Sequence, residues 1–155
     1  MNKYEELHQE AYDQGVIVKE VILKSKSDGL YFNNKIALNK CRLHNTREKT
    51  CVLAEELGHH YKTVGDILDL SVINNNKQEY KARVYAYNRL IGLNGLLNAY
   101  KSGCRSLHDF LEYLDVTEVF FNETINCYKN KYGTYVEVDN YAIVFEPSLM
   151  IIEQL

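Results

Sequence analysis

Between Cys51 and His60 the chain reads Cys51-Val52-Leu53-Ala54-Glu55-Glu56-Leu57-Gly58-His59-His60, an apolar run carrying two carboxylates and two imidazoles. Cys51, Val52, Leu53, Ala54 and Leu57 cover most of the circumference of a helix, so this helix is expected to be buried on most sides. Its polar side chains then need partners inside the protein. Asn45, three residues before Glu48, is an N-cap signature with a carboxylate at the positive end of the helix, although Lys49 in the same turn opposes that dipole. The helix is expected to run to about His60 or Tyr61.

Glu55 and His59 are four residues apart, about 400° of helical turn, so both leave the same face one turn apart. Two side chains grip one divalent cation in this way. Glu56 lies about 100° around the helix from Glu55, placed to approach an activated water without taking a ligand position. This is the HExxH zincin arrangement with Glu55 where the first His would stand. Catalytic zinc usually has three protein ligands. The best third candidate is Glu79, at the start of the next expected helix. Ala82 and Ala86 follow on its face, and their small side chains would let the two helices pack closely. Asp66 is an alternative third ligand.

Blander readings apply to each residue alone. Glu55 and Glu56 fit a solvated helix face, His59 a hydrogen-bonded histidine, and Glu79 a favourable charge at a helix start. His60 is a neighbour of the ligands or, as the preferred reading, a cap at the helix end. The longer metzincin pattern fails, because Lys62 and Gly65 stand at its next two positions.

The rest of the sequence indicates an α+β fold. Tyr4, Leu7, Ala11 and Tyr12 give a helix over residues 3–13, and Gly15 ends it. Val16 to Leu23 reads as a strand. A turn at 25–29 leads into a hairpin around Asn33-Asn34, and together these predict a small N-terminal antiparallel sheet. Asn74-Asn75-Asn76 reads as a loop and residues 77–97 as one long helix. Ser106 to Leu114 and Glu118 to Tyr132 form a helix–turn–helix-like pair, with Thr117 as a cap. Tyr135–Val138 and Tyr141–Phe145 form a terminal β-hairpin.

The chain has 155 residues, 46% hydrophobic and 25% charged, a balance that suits one packed domain and argues against disorder. A net charge of −3 gives no basic excess for nucleic acid or anionic membrane. No apolar run reaches the roughly 18 residues of a membrane-spanning helix. The charged start, Met1 to Glu6, lacks a signal-peptide core, so the expected compartment is the cytoplasm. Cys41, Cys51, Cys104 and Cys127 form no CxxC pair and are read as small hydrophobic residues.

Cys51 to Tyr61, followed by Gly65-Asp66-Ile67-Leu68, resembles the ImmA/IrrE family of metallo-endopeptidases of phages and mobile elements. Glu79 through Ala86 is similar to that family's E-x-x-A-x-x-aromatic-A block, with Tyr85 where Phe or Trp is more usual. Leu111 to Phe121 resembles the short helix–turn–helix that follows the peptidase core. The similarity covers about residues 4–147. It implies a single peptidase-like domain over 1–155, with a zincin-like metal-site core at 1–100, a helix–turn–helix-like subdomain at 104–132 and a hairpin at 133–147. It also implies metal ligation by His59 and Glu79, Glu56 as general base, and a helix-turn-helix repressor as substrate. Glu55 replaces the family's first His. Zinc is the expected metal. Two carboxylates with one imidazole make a harder donor set, for which Mn²⁺ or Fe²⁺ are alternatives.

Two rivals remain. A DNA-binding role for the C-terminal pair is disfavoured, because the candidate recognition helix opens with Glu118 and Glu123 and no Arg or Lys. Leu107, Leu111, Leu114 and Phe120 are read there as core packing. The second rival is a catalytically degenerate relative that binds the repressor without cutting it.

Overall fold

Asn2 opens the first helix by a reciprocal cap. Its side chain accepts from the Glu5 backbone N–H at 2.8 Å, and the Glu5 carboxylate accepts from the Asn2 N–H. In the computed structural model, which describes residues 1–63 and 72–155, this helix is α1, Lys3–Asp13. It buries Leu7 and Ala11 and leaves Tyr12 exposed. Strands β1 (Ile17–Val21), β2 (Gly29–Phe32) and β3 (Lys35–Asn39) follow, then helices α2 (Thr46–Thr63) and α3 (Val72–Leu90). Helices α4 (Gly92–Lys101), α5 (Leu107–Leu114) and α6 (Glu118–Tyr132) lead to β4 (Tyr135–Val138), β5 (Tyr141–Val144) and β6 (Met150–Glu153). The fold is α+β, with two small three-stranded sheets among the described residues. These residues form two compact units, Met1–Arg89 and Leu90–Leu155.

In the first unit the sheet order is β1-β3-β2. The β2–β3 hairpin turns at Asn33 and Asn34, both at positive φ (49° and 63°), as the Asn pair predicts. The sheet is mixed rather than antiparallel, because β1 pairs with β3 in parallel. Residues 22–28 carry the chain past β3, so that β3 enters between the two earlier strands. The buried Asn39 holds this crossover: its amide donates to the Ser27 carbonyl at 2.9 Å and its oxygen accepts from the N–H of Leu23 and of Cys41.

Helix α2 starts as expected, with the Asn45 side chain accepting from the Glu48 N–H at 2.9 Å. Leu53, Ala54 and Leu57 are fully buried along it. Helix α3 begins at Val72, so Asn74 to Asn76 are helical rather than a loop. The long helix expected over 77–97 is interrupted after Leu90, because Gly92 adopts a left-handed φ of 65° that a continuous right-handed helix does not accommodate. Glu10 joins three helices of this unit. Its carboxylate accepts from the Tyr61 hydroxyl at 2.8 Å and the Tyr85 hydroxyl at 3.1 Å, and pairs with Arg89 at 3.3 Å.

In the second unit α5 opens with a Ser106–Asp109 capping box and ends at Asp115 in the left-handed region, and Thr117 caps α6. Phe110, Leu114, Phe120 and Phe121 are buried, whereas Leu107 is exposed. The expected terminal hairpin is a three-stranded antiparallel meander, β4-β5-β6, whose last strand pairs Ile151 with Ile143. Pro147 and the polar residues around it hid that short strand. No helix among the described residues is long and apolar enough to cross a membrane.

Candidate metal centre

Helix α2 supplies Glu55, Glu56, His59 and His60, and α3 supplies Glu79. A glycine brings the two helices together. A Cβ at Gly58 would lie 2.5 Å from the Ala82 carbonyl oxygen and 2.9 Å from its Cα, so only a residue without one fits. Ala82 and Ala86 are fully buried. Close approach at Ala82 carries Glu79, almost one turn earlier, to the flank of α2 where His59 stands. His59 Nε2 lies 3.0 Å from Glu79 Oε2. One ligand atom from each of Glu55, His59 and Glu79 lies within 4.8 Å of the others.

Arg83 joins this group. Its Nε is 3.5 Å from Glu55 Oε1 and 3.8 Å from Glu79 Oε1. The sequence reading missed it, although its spacing of four from Glu79 is the usual signature of a helical ion pair.

Glu56 points elsewhere on α2 and is buried, 7% exposed. It packs beside Gly29 at the start of β2, where a Cβ would sit 3.1 Å from Glu56 Oε1 and 2.7 Å from Val52 Cγ1. Gly29 reads in the sequence as the end of a turn, and nothing local reveals its contact with α2. His60 is also buried, with its Nδ1 2.8 Å from the Tyr31 hydroxyl and its ring edge-on to Tyr31 and Tyr61. It lies in the last turn of α2, which ends at Thr63, and its ring joins the helix to β2. Asp66, the alternative ligand, lies outside the described residues.

No known protein family, curated protein or solved structure matches the chain.

Burial and neighbouring charge set the protonation of Glu55, Glu56 and His59. Burial pushes Glu56 up to about 8, and the charges of Glu55 and Glu79 push the same way. Burial also raises Glu55, as does a hydrogen bond shared with the Glu79 carboxyl, while Arg83 pulls it back down. Burial lowers His59 against the opposing pull of Glu79. A neutral His59 donates its Nε2 proton to Glu79 here. Its lone pair becomes available at Nε2 when the proton moves to Nδ1.

These donors suit a divalent first-row cation. Ligand atoms about 2.0–2.2 Å from one ion lie roughly 3–4 Å from each other, and the His59–Glu79 pair at 3.0 Å stands near that spacing, with the third atom within 4.8 Å of both. Two carboxylate oxygens and one imidazole nitrogen are donors that Zn²⁺, Mn²⁺ and Fe²⁺ all accept.

Proposed function

We propose that the chain is a metal-dependent endopeptidase of the ImmA/IrrE kind, with a zincin-like core, that cuts a helix-turn-helix repressor of a phage or mobile element. The observation that carries this reading is the convergence of Glu55, His59 and Glu79 from two helices, with the buried Glu56 beside them. The substrate class rests on the resemblance of residues 51–68 and 79–86 to that family. Acting on a DNA-binding regulator implies work in the cytoplasm.

Glu55, His59 and Glu79 hold the cation, zinc in the first instance and manganese or iron as alternatives. When bound, such an ion polarises a scissile carbonyl and makes water more acidic. Glu56 accepts the water proton as a carboxylate and later delivers it to the departing amine. Its raised pKa suits this two-way transfer near neutral pH. A cation among the ligands offsets the Glu55 and Glu79 charges that raise Glu56, and this favours the carboxylate needed for the first transfer. Packing against Gly29 fixes the Glu56 side chain.

Arg83 beside the two carboxylates favours a second reading, a degenerate relative that binds the repressor and leaves it whole. The deciding experiment measures metal content and repressor cleavage together. Glu79→Ala should lose the metal, and Glu56→Gln should keep it and stop cleavage. Wild-type protein that binds the repressor but never cuts it favours the partner reading. Wild-type protein that carries no metal under any loading condition overturns the endopeptidase.

A further inference from the structure

Glu55 and Glu79 bring two carboxyl groups to one site, and α3 provides a cation facing both. Arg83 is one turn after Glu79, and its Nε faces one oxygen of each ligand carboxylate, 3.5 Å from Glu55 and 3.8 Å from Glu79. Both separations are long for a hydrogen bond and short for a Coulomb attraction. The guanidinium therefore holds the carboxylates by charge more than by directed bonding. Its side chain is 52% exposed, so water screens part of its charge. His59 and Glu79 stay paired at 3.0 Å without needing Arg83 between them.

We propose that Arg83 is a resident counter-ion that competes with a divalent cation for the Glu55–Glu79 carboxylate pair and so sets the affinity of the site. This rests on the metal-centre reading above. Arg83 stands within a few ångströms of both ligand carboxylates and offsets part of the negative charge that would otherwise attract a dication. A cation entering the trio meets a fixed positive charge a few ångströms away. The affinity that the extra carboxylate adds is thereby partly cancelled. A site tuned in this way takes up its ion only at adequate supply and releases it more readily than the bare donor set would.

The test titrates Zn²⁺ and Mn²⁺ into the full chain, stripped of metal, against a chromophoric chelator. Wild type, Arg83→Gln, Arg83→Lys and Glu79→Ala are compared at low and high salt. Arg83→Gln should bind about three- to tenfold more tightly at low salt, a gain expected from removing a half-screened charge a few ångströms away, and the gain should shrink as salt rises. Arg83→Lys, which keeps the charge, should stay within about twofold of wild type. An Arg83→Gln protein that binds like wild type or more weakly, while Glu79→Ala loses the metal, overturns the counter-ion role alone. Arg83→Lys tightening as much as Arg83→Gln also overturns it, because charge would not be the cause. Glu79→Ala binding as well as wild type overturns the metal centre, and the counter-ion role with it.

Discussion

Gly58 and Ala82 touch backbone to backbone: a Cβ on Gly58 would lie 2.5 Å from the Ala82 carbonyl oxygen. One missing methyl group thus sets the distance between α2 and α3, and through it the distance between His59 and Glu79. Gly58→Ala should force the helices apart. The expected cost is about 1–3 kcal/mol of stability, typical of overpacking a tight contact, measured by chemical denaturation. Divalent-cation binding should weaken in the same protein, because Glu79 retreats from His59. Unchanged binding would show that the trio does not depend on this crossing.

Gly29 offers a second steric test, on Glu56. Gly29→Ala brings a methyl to 2.7 Å from Val52 Cγ1 and 3.1 Å from Glu56 Oε1. It should displace the Glu56 carboxyl while leaving Glu55, His59 and Glu79 in place. Metal content should therefore stay near wild type while any repressor cleavage falls at least about tenfold, since small misplacements of a reacting group carry large rate penalties. Equal loss of metal and cleavage would contradict the separation of these roles.

The raised pKa of Glu56 makes a prediction about stability and pH for the metal-stripped protein. Folding holds the Glu56 proton up to about pH 8, whereas the unfolded chain releases it near the ordinary 4.5. Between those values the folded state binds more protons, so stability falls as pH rises. Glu55, also raised, acts in the same direction. His59 is lowered, so it opposes the trend below its ordinary 6.5. The fall is therefore clearest between pH 6.5 and 8, with a slope of up to about 1.4 kcal/mol per pH unit for one proton. Glu56→Gln should flatten it. Denaturation midpoints that rise over this window in wild type would contradict the assignment.

Glu10 joins α1 to α2 and α3 through Tyr61, Tyr85 and Arg89, none of which belongs to the metal trio. Tyr85→Phe removes one hydroxyl and leaves the carboxylate its other partners. It should cost about 0.5–1.5 kcal/mol, the usual value of one hydrogen bond. Glu10→Ala leaves both phenols and the guanidinium without this acceptor and should cost more than Tyr85→Phe. Both proteins should bind divalent cations as wild type does, which thermal unfolding and metal titration on the same samples can check.

Several features were legible because they are local. The Asn45–Glu48 helix start, the Asn33-Asn34 turn and the Thr117 cap each depend on atoms a few residues apart. Glu55 and His59 share a face because 3.6 residues make a turn, and that holds wherever the helix sits. The small residues at Ala82 and Ala86 announced a close packing face. Other features hid behind the same local rules. Apolar spacing continues across Gly92, so a helix read through it looked unbroken. His60 near an expected helix end suggested a cap, while its ring in fact meets Tyr31 on β2.

The sequence by itself determined where most turns and helix starts fall, and that two potential ligands share one helical face, because such geometry follows from neighbouring backbone atoms and side-chain bulk. Only the tertiary structure decided that β1 runs parallel to β3, that Glu79 rather than open solvent faces His59, that Gly29 packs against Glu56, and that Arg83 sits between two carboxylates. Those relationships join segments tens of residues apart. They depend on which surfaces bury each other when the chain packs, and no local spacing encodes that choice.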